Sequence, residues 1–349
     1  MERSDGGCRL GLVAHDSGLH PLGQILPAGH ALGLAQGLEV VGSGTGLKIS
    51  FGTEFALSAL ISPLGAGLRS LSLGSEIVVP DYPGEERPLH AGAVLFPWAG
   101  RLPDGIWDDR GVIRVFPLND LSTHSAIHGL VCDEPFEVVK HTNESVTLSY
   151  LLGASESYPH SLRLTVGYEL GETGLVVHDE VINEGKTSAP FALAHHPYLS
   201  VGDYLWEDIR VEALLTHAAA SSERLVPTSI EALPSSAAQS VSNIAPEAMD
   251  QSYRLTVRDG EHSHYRLITP GRVVDMWQDD HWPWLHVYGT NTLPTDKGGS
   301  KAVALEPHTS LPNSLNWPQT LAVLEAGEMW RGSWGISPPT KGPGERESL

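Results

Sequence analysis

Five short segments set ionisable side chains among small or apolar neighbours, where a proton affinity can be tuned. Phe96-Pro97-Trp98-Ala99-Gly100-Arg101-Leu102 carries Arg101, and Ala126-Ile127-His128-Gly129-Leu130 carries His128. Ala194-His195-His196-Pro197-Tyr198-Leu199 carries two adjacent histidines. Asp250 lies in Ala248-Met249-Asp250-Gln251-Ser252-Tyr253-Arg254, and Glu306 in Leu305-Glu306-Pro307-His308-Thr309-Ser310. Histidine titrates near neutrality and a carboxylate is ionised there, so together they can supply an acid and a base. Neighbours on an extended chain face opposite ways, so only one of His195 and His196 enters a given pocket. Each segment alone also has an ordinary structural reading, since a single His or Glu at a strand end is most often solvated or hydrogen-bonded. A metal set from His128, His195, His196 and Glu306 is chemically conceivable. No H-E-x-x-H or similar spacing supports it, and no metal is expected. A carboxylate pair, Asp250 and Glu306, would suit a glycosidase, but the sequence does not set their separation.

The elements that must position these groups read as strands. Leu47-Lys48-Ile49-Ser50-Phe51 alternates apolar and polar residues, the pattern of a half-buried strand. Phe55 to Ile61 and Leu68 to Leu73 follow as further short antiparallel strands. Leu162 to Leu170 and Leu175 to Asn183, joined by Gly171-Glu172-Thr173-Gly174, read as a hairpin. The last strands are Leu285-His286-Val287-Tyr288, Ala302 to Leu305, Leu321 to Leu324 and Arg331 to Ile336. Asp81 to Pro117 reads as long loops with brief strands, and Ile230 to Met249 as a connecting loop with a short helical turn. The expected fold is all-β, one large antiparallel β-sandwich over residues 41–337. Residues 1–40 read as an N-terminal extension open to mobility, and 338–349 as a disordered polar tail.

Composition agrees and excludes some functions. The 349 residues include 37 Gly and 25 Pro, a density that favours strands and turns over long helices. Hydrophobic residues make up 41 %, enough for a large core. A formal net charge of −20 argues against nucleic-acid partners and against an anionic membrane surface. Two cysteines, Cys8 and Cys132, form neither a disulfide framework nor a C-x-x-C zinc pattern. The N-terminus lacks the basic and apolar runs of a secretory signal, and no apolar stretch reaches the roughly 18 residues of a membrane span. A cytoplasmic protein is expected.

The order and wording of the segments resemble the aldose 1-epimerase (galactose mutarotase) family. Pro97-Trp98-Ala99-Gly100-Arg101-Leu102 resembles its Asn-Arg-Ile/Leu motif, and Ile127-His128-Gly129 its Leu-His-Gly motif. His196-Pro197-Tyr198-Leu199 resembles His-x-Tyr-Phe, and Met249-Asp250 resembles Leu-Asp. Glu306-Pro307-His308-Thr309-Ser310-Leu311-Pro312-Asn313 resembles Glu-Pro-x-Thr-x-x-Pro-Asn/Asp. Leu324-Glu325-Ala326-Gly327-Glu328, before Trp334-Gly335-Ile336, resembles the closing Leu-x-Pro-Gly-Glu and final strand. Six motifs in order, spanning about residues 46–337, are far more specific than any one. There are departures. Gly100 replaces the usual Asn, His195 stands where Asn often precedes the catalytic histidine, and Leu199 replaces the frequent Phe.

The resemblance implies a galactose mutarotase-like supersandwich that interconverts the α and β anomers of an aldohexose without a cofactor. It implies Glu306 as base, His196 as acid, and His128 as a hydrogen-bond partner near the ring oxygen. Arg101 and Asp250 would bind sugar hydroxyls. Trp277 or Trp282 is available to stack on a sugar face, with a core role the equal alternative for either. His195 is expected to be structural. Two other readings stay open at this point. One is a hexose-6-phosphate 1-epimerase, for which Arg69, Arg110 and Arg114 are the available rim cations. The other is a non-catalytic sugar-binding protein on the same fold. The expected partner is a small-molecule sugar, and the expected assembly a monomer or homodimer.

Overall fold

The Leu162–Gly171 strand shows why this sequence folds as it does. Leu162, Leu164, Val166, Tyr168 and Leu170 alternate with Arg163, Thr165, Gly167 and Glu169, and the first set is buried while the second is not. Its partner Gly174–Asn183 does the same, and the two pair in register from Leu162↔Asn183 to Gly171↔Gly174. The hairpin read from the sequence is therefore present, turn included. The structure is a computed structural model, and it describes residues 38–344 apart from 42–43, 53–55, 75, 235–238, 242–243, 246–248 and 257–261. Most of the expected extension, residues 1–37 with Cys8, lies outside the described residues.

Three antiparallel sheets carry most of the chain. The first, from Leu38–Val41 to Glu76–Val79, is a five-stranded meander in sequence order. The second has ten strands with the hairpin above near one end. Met329–Ile336 pairs with Gly174–Asn183 and joins it to Arg272–Asp279 and His262–Ile268. The third has eight strands. Leu215–Ser221, Asp250–Leu255, Trp284–Thr295 and Gly298–His308 lie side by side, and Ala194–His195 and Tyr198–Ser200 both pair with the last of these. One core cluster, including Leu47, Val166, Val177, Leu285, Val303 and Leu305, draws residues from all three sheets. Among the described residues there is no α-helix, only short 3-10 turns. The all-β sandwich fold is as expected.

Two expectations about connections are corrected. Part of the Ile230–Met249 region is strand: Pro227–Ala232 pairs with Leu215–Ser221, and Gln239–Val241 pairs with Arg210–Ala213. Its Ser- and Ala-rich composition hid this, because these are edge strands with little apolar surface to bury. The tail, expected to be disordered from residue 338, is tied to the sheet where Thr340–Lys341 pairs with Arg272–Asp279.

Candidate active site

The eight-stranded sheet has one apolar and one polar face, and the site is built on the polar one. On Trp284–Thr295, Leu285 and Val287 enter the core while Trp284, His286 and Tyr288 point the other way. On Gly298–His308, Val303 and Leu305 enter the core while Ala304, Glu306 and His308 oppose them. Register aligns these polar residues in rows. Ser252, His286 and Glu306 are cross-strand partners, as are Asp250, Tyr288, Ala304 and Tyr198 in the next row. The face lines a cavity of about 300 Å³, at the small end of the range for small-molecule sites.

Glu306 and His196 meet in this cavity, with His196 Nε2 3.4 Å from Glu306 Oε1. Both are almost fully buried. Burial alone would raise the carboxyl's pKa, but the facing His196, His286 and His308 pull it down to about 2, so it is ionised at neutral pH. His196 responds the other way. Burial lowers its pKa below 6.5, against a rising pull from Glu306. Beside this pair stands His128, whose backbone N–H donates to the Gly100 carbonyl at 3.1 Å. Gly100 N–H in turn donates to His128 Nδ1 at 3.2 Å. Nδ1 is thus an acceptor, and in the neutral ring Nε2 carries the hydrogen. Burial, with His90, His196, His308 and Arg101 around it, holds His128 well below its ordinary pKa and therefore neutral.

On the other side of the cavity Arg101 donates from Nε to Asp120 at 2.9 Å and reaches Asp250 at 3.5 Å. Asp120 also accepts from the hydroxyls of Ser122 and Thr123. Burial raises the Asp120 pKa, but these bonds and the Arg101 charge hold it below the usual carboxylate range. Asp250 Oδ1 lies 3.2 Å from His286 Nε2, and His286 Nδ1 contacts the Ser252 hydroxyl at 2.8 Å. Burial lowers the His286 pKa, yet the Glu306 and Asp250 charges carry it above 6.5. The wall thus offers a guanidinium, a carboxylate and an imidazole, a donor and acceptor set suited to hydroxyl groups.

The family model for aldose 1-epimerases matches residues 48–337. This chain belongs to the aldose 1-epimerase family. It is 31 % identical over 284 residues to the uncharacterized protein YihR of Escherichia coli K12, a match covering 78 % of this chain and 87 % of the relative. Among solved structures it is similar to the GalM/aldose epimerase homologue from C. elegans, with a TM-score of 0.72 and 18 % identity over 84 % of this chain and 99 % of that one. It is also similar to a galactose 1-epimerase from Lactobacillus acidophilus, with a TM-score of 0.67 and 16 % identity over 84 % and 94 % of the two chains. At these identities the solved structures establish the fold.

The structure brings Arg101, His128, His196, Asp250 and Glu306 to one cavity, from segments more than two hundred residues apart in the chain. Trp277 is the exception and is corrected. It lies on the ten-stranded sheet with its ring edge-on to His262 at 4.7 Å, and it does not line the cavity. The reason is period two: Val274, Met276 and Gln278 are fully buried, so Trp277 takes the opposite face. Trp282 is sealed in the core against His195 and Trp330. The aromatic residues that do line the cavity are Tyr198 and Tyr288. His195 points away from His196, and its Nε2 meets Asp179 at 3.0 Å between the two large sheets. Arg69, Arg110 and Arg114 are held elsewhere, by Asp81, by Ser188 and by Asp109 with Glu156, so none of the three reaches the cavity.

The departure at Gly100 has a steric reading. Gly100 has φ +64°, and a Cβ there would lie 2.6 Å from Pro312, so this chain has closed the space an Asn side chain would need. His286, His308, Asn119 and Asp120 also line the cavity, and the sequence reading did not single them out. For His308 a signal existed: Glu306-x-His308 on one strand puts both side chains on the same face. Tyr288 and His286 share a face by the same rule.

Proposed function

We propose that this protein is an aldose 1-epimerase that interconverts the α and β anomers of an aldohexose by acid–base ring opening and closure. The observation that carries the reading is the Glu306–His196 pair, 3.4 Å apart in the cavity. The C1 hydroxyl and the ring oxygen are both bonded to C1, so the base and the acid must stand close together. Glu306 Oε1 takes the proton of the C1 hydroxyl, and His196 Nε2–H gives its proton to the ring oxygen. The bond between C1 and the ring oxygen breaks as the C1 carbonyl forms. The C1–C2 bond rotates, and closure on the other face returns both protons to their donors. His128 Nε2–H stabilises charge as it develops on the ring oxygen. Arg101, with Asp250 and Asp120, orients the sugar hydroxyls.

The test is polarimetry or NMR of anomer exchange on a panel of free and phosphorylated aldohexoses. Glu306→Gln and His196→Asn should each keep the fold and lose about 10²–10⁴-fold in turnover, the usual contribution of a general acid or base. Near-normal rates in either folded variant would remove the role given to that residue. No acceleration by the wild type for any sugar would favour a non-catalytic sugar-binding protein.

A further inference from the structure

We propose that His308 is a positioning residue that grips one oxygen of Glu306 and leaves the other as the oxygen that exchanges protons with the sugar. The proposal rests on the reading of Glu306 as the base. His308 follows Glu306 by two residues on the same strand and shares its face. Its Nε2 lies 3.0 Å from Glu306 Oε2, whereas the contact with His196 is made by Oε1. Its Nδ1 lies 3.3 Å from the Ser310 carbonyl oxygen, and its ring stacks on that of His286 with centroids 5.6 Å apart and planes at 27°. Both His308 and Glu306 are at most 2 % exposed. The imidazole is therefore held through Nε2 and on one face, and solvent does not compete for it.

Both the carboxylate and the Ser310 carbonyl can only accept; the charged carboxylate at 3.0 Å is the nearer and stronger acceptor, so Nε2 carries the hydrogen of the neutral ring. That bond fixes the carboxyl plane and occupies Oε2. Oε1 is left at the cavity side, already set against His196. Orientation of this kind acts on the rate of the chemical step more than on sugar affinity. It also stabilises the ionised carboxylate, as do other groups facing Glu306. Those that favour its charge are His196 on the neighbouring segment and His286 on the adjacent strand; Asp250 acts in the opposite sense, and Tyr198 and His90 face it as neutral groups.

The experiment compares His308→Leu, which removes the donor, with His308→Gln, which keeps an N–H donor. In His308→Leu, kcat should fall by about 10–100-fold, with KM changed much less. The acid limb of kcat/KM should move to higher pH by about one unit, because the carboxylate loses a hydrogen bond that favours its charged form. His308→Gln should restore part of both effects. An acid limb at the wild-type position in folded His308→Leu would overturn the proposal, since a purely structural role lowers stability without moving that limb. A second measurement needs no turnover. In 15N-edited spectra of the wild-type imidazoles at pH 7, His308 should show a proton bound to Nε2 that exchanges slowly with water. An Nε2 without a proton would overturn the proposal even if His308→Leu fails to fold. If the wild type accelerates no anomer exchange, the reading of Glu306 as base falls, while the spectroscopic result still decides whether His308 grips it.

Discussion

Asp179 and His195 form a buried pair that joins the two large sheets, and removing either half should be costly. Asp179 stands on the core face of Gly174–Asn183 in the ten-stranded sheet, and His195 on Ala194–His195 in the eight-stranded sheet. Their side chains are 0 % and 1 % exposed, and the Nε2–Oδ2 distance is 3.0 Å. The rings of Trp334 and Trp282 close over the imidazole at 5.0 and 5.7 Å. Asp179→Ala would leave the His195 Nε2 facing apolar walls with no water to replace the carboxylate. Breaking a buried pair by removing one partner costs about 3–5 kcal/mol. That is a large share of the roughly 5–15 kcal/mol that holds a domain folded. At about 2 °C per kcal/mol for a chain of this size, the melting temperature should fall by roughly 6–10 °C. Urea unfolding followed by tryptophan fluorescence and by far-UV circular dichroism would measure it. His195→Ala should cost a similar amount, and the double variant should cost less than the sum by about 2 kcal/mol, since the second deletion removes the orphaned group. Single losses that add to within about 0.5 kcal/mol would refute the coupling. Because His195 is the backbone neighbour of His196, the same variants should also lower kcat.

Three further outcomes follow from the geometry. In the proposed mechanism Glu306 must be ionised to act as base, so activity should persist as pH falls until the pH nears about 2. In the same mechanism His196 must be protonated to act as acid, and its pKa is lowered, so kcat/KM should decline with rising pH at a midpoint below 6.5. A kcat/KM that instead rises through pH 4–5, as for an ordinary carboxylate, would contradict the histidine cage around Glu306. Gly129 has φ +78°, and a Cβ there would sit 2.1 Å from the Phe96 carbonyl oxygen. Gly129→Ala should therefore destabilise the protein by more than about 3 kcal/mol and displace His128, measurable by denaturant unfolding and by lost turnover. Trp277→Ala should leave kcat and KM unchanged within error, because Trp277 stands on the outer face of the other sheet. A several-fold rise in KM would return Trp277 to the sugar site.

The sequence made the fold and much of the site legible for a local reason and left the rest obscure for a non-local one. Alternation over Leu162–Gly171 and Gly174–Asn183 is visible within ten residues, and so was the hairpin. Arg101, His128, His196, Asp250 and Glu306 were found through short motifs in order. Residue type alone does not place Trp277, because tryptophan stacks on sugars and fills cores alike, while the alternation Val274, Met276, Gln278 assigns it to the outer face. The edge strand Pro227–Ala232 carries too little apolar surface to announce itself.

The residues that went unread share one property: their role depends on register between strands distant in sequence. His286 becomes a site residue because it pairs with Glu306 on one side and Ser252 on the other, and neither pairing is written in Leu285-His286-Val287-Tyr288. One face of these strands is apolar and sealed, which makes a slip by one residue expensive, since it would drive His286 and Glu306 into the core and Leu285 and Leu305 out of it. Each fully buried leucine is worth about 1.5–3 kcal/mol over its exposed state, so the core face defends the register. The apolar half of the alternation thus holds the polar row of the candidate site in line. Substitutions at Val287, Val303 or Leu305 that weaken this lock should therefore reach the chemistry without any of these side chains touching a sugar.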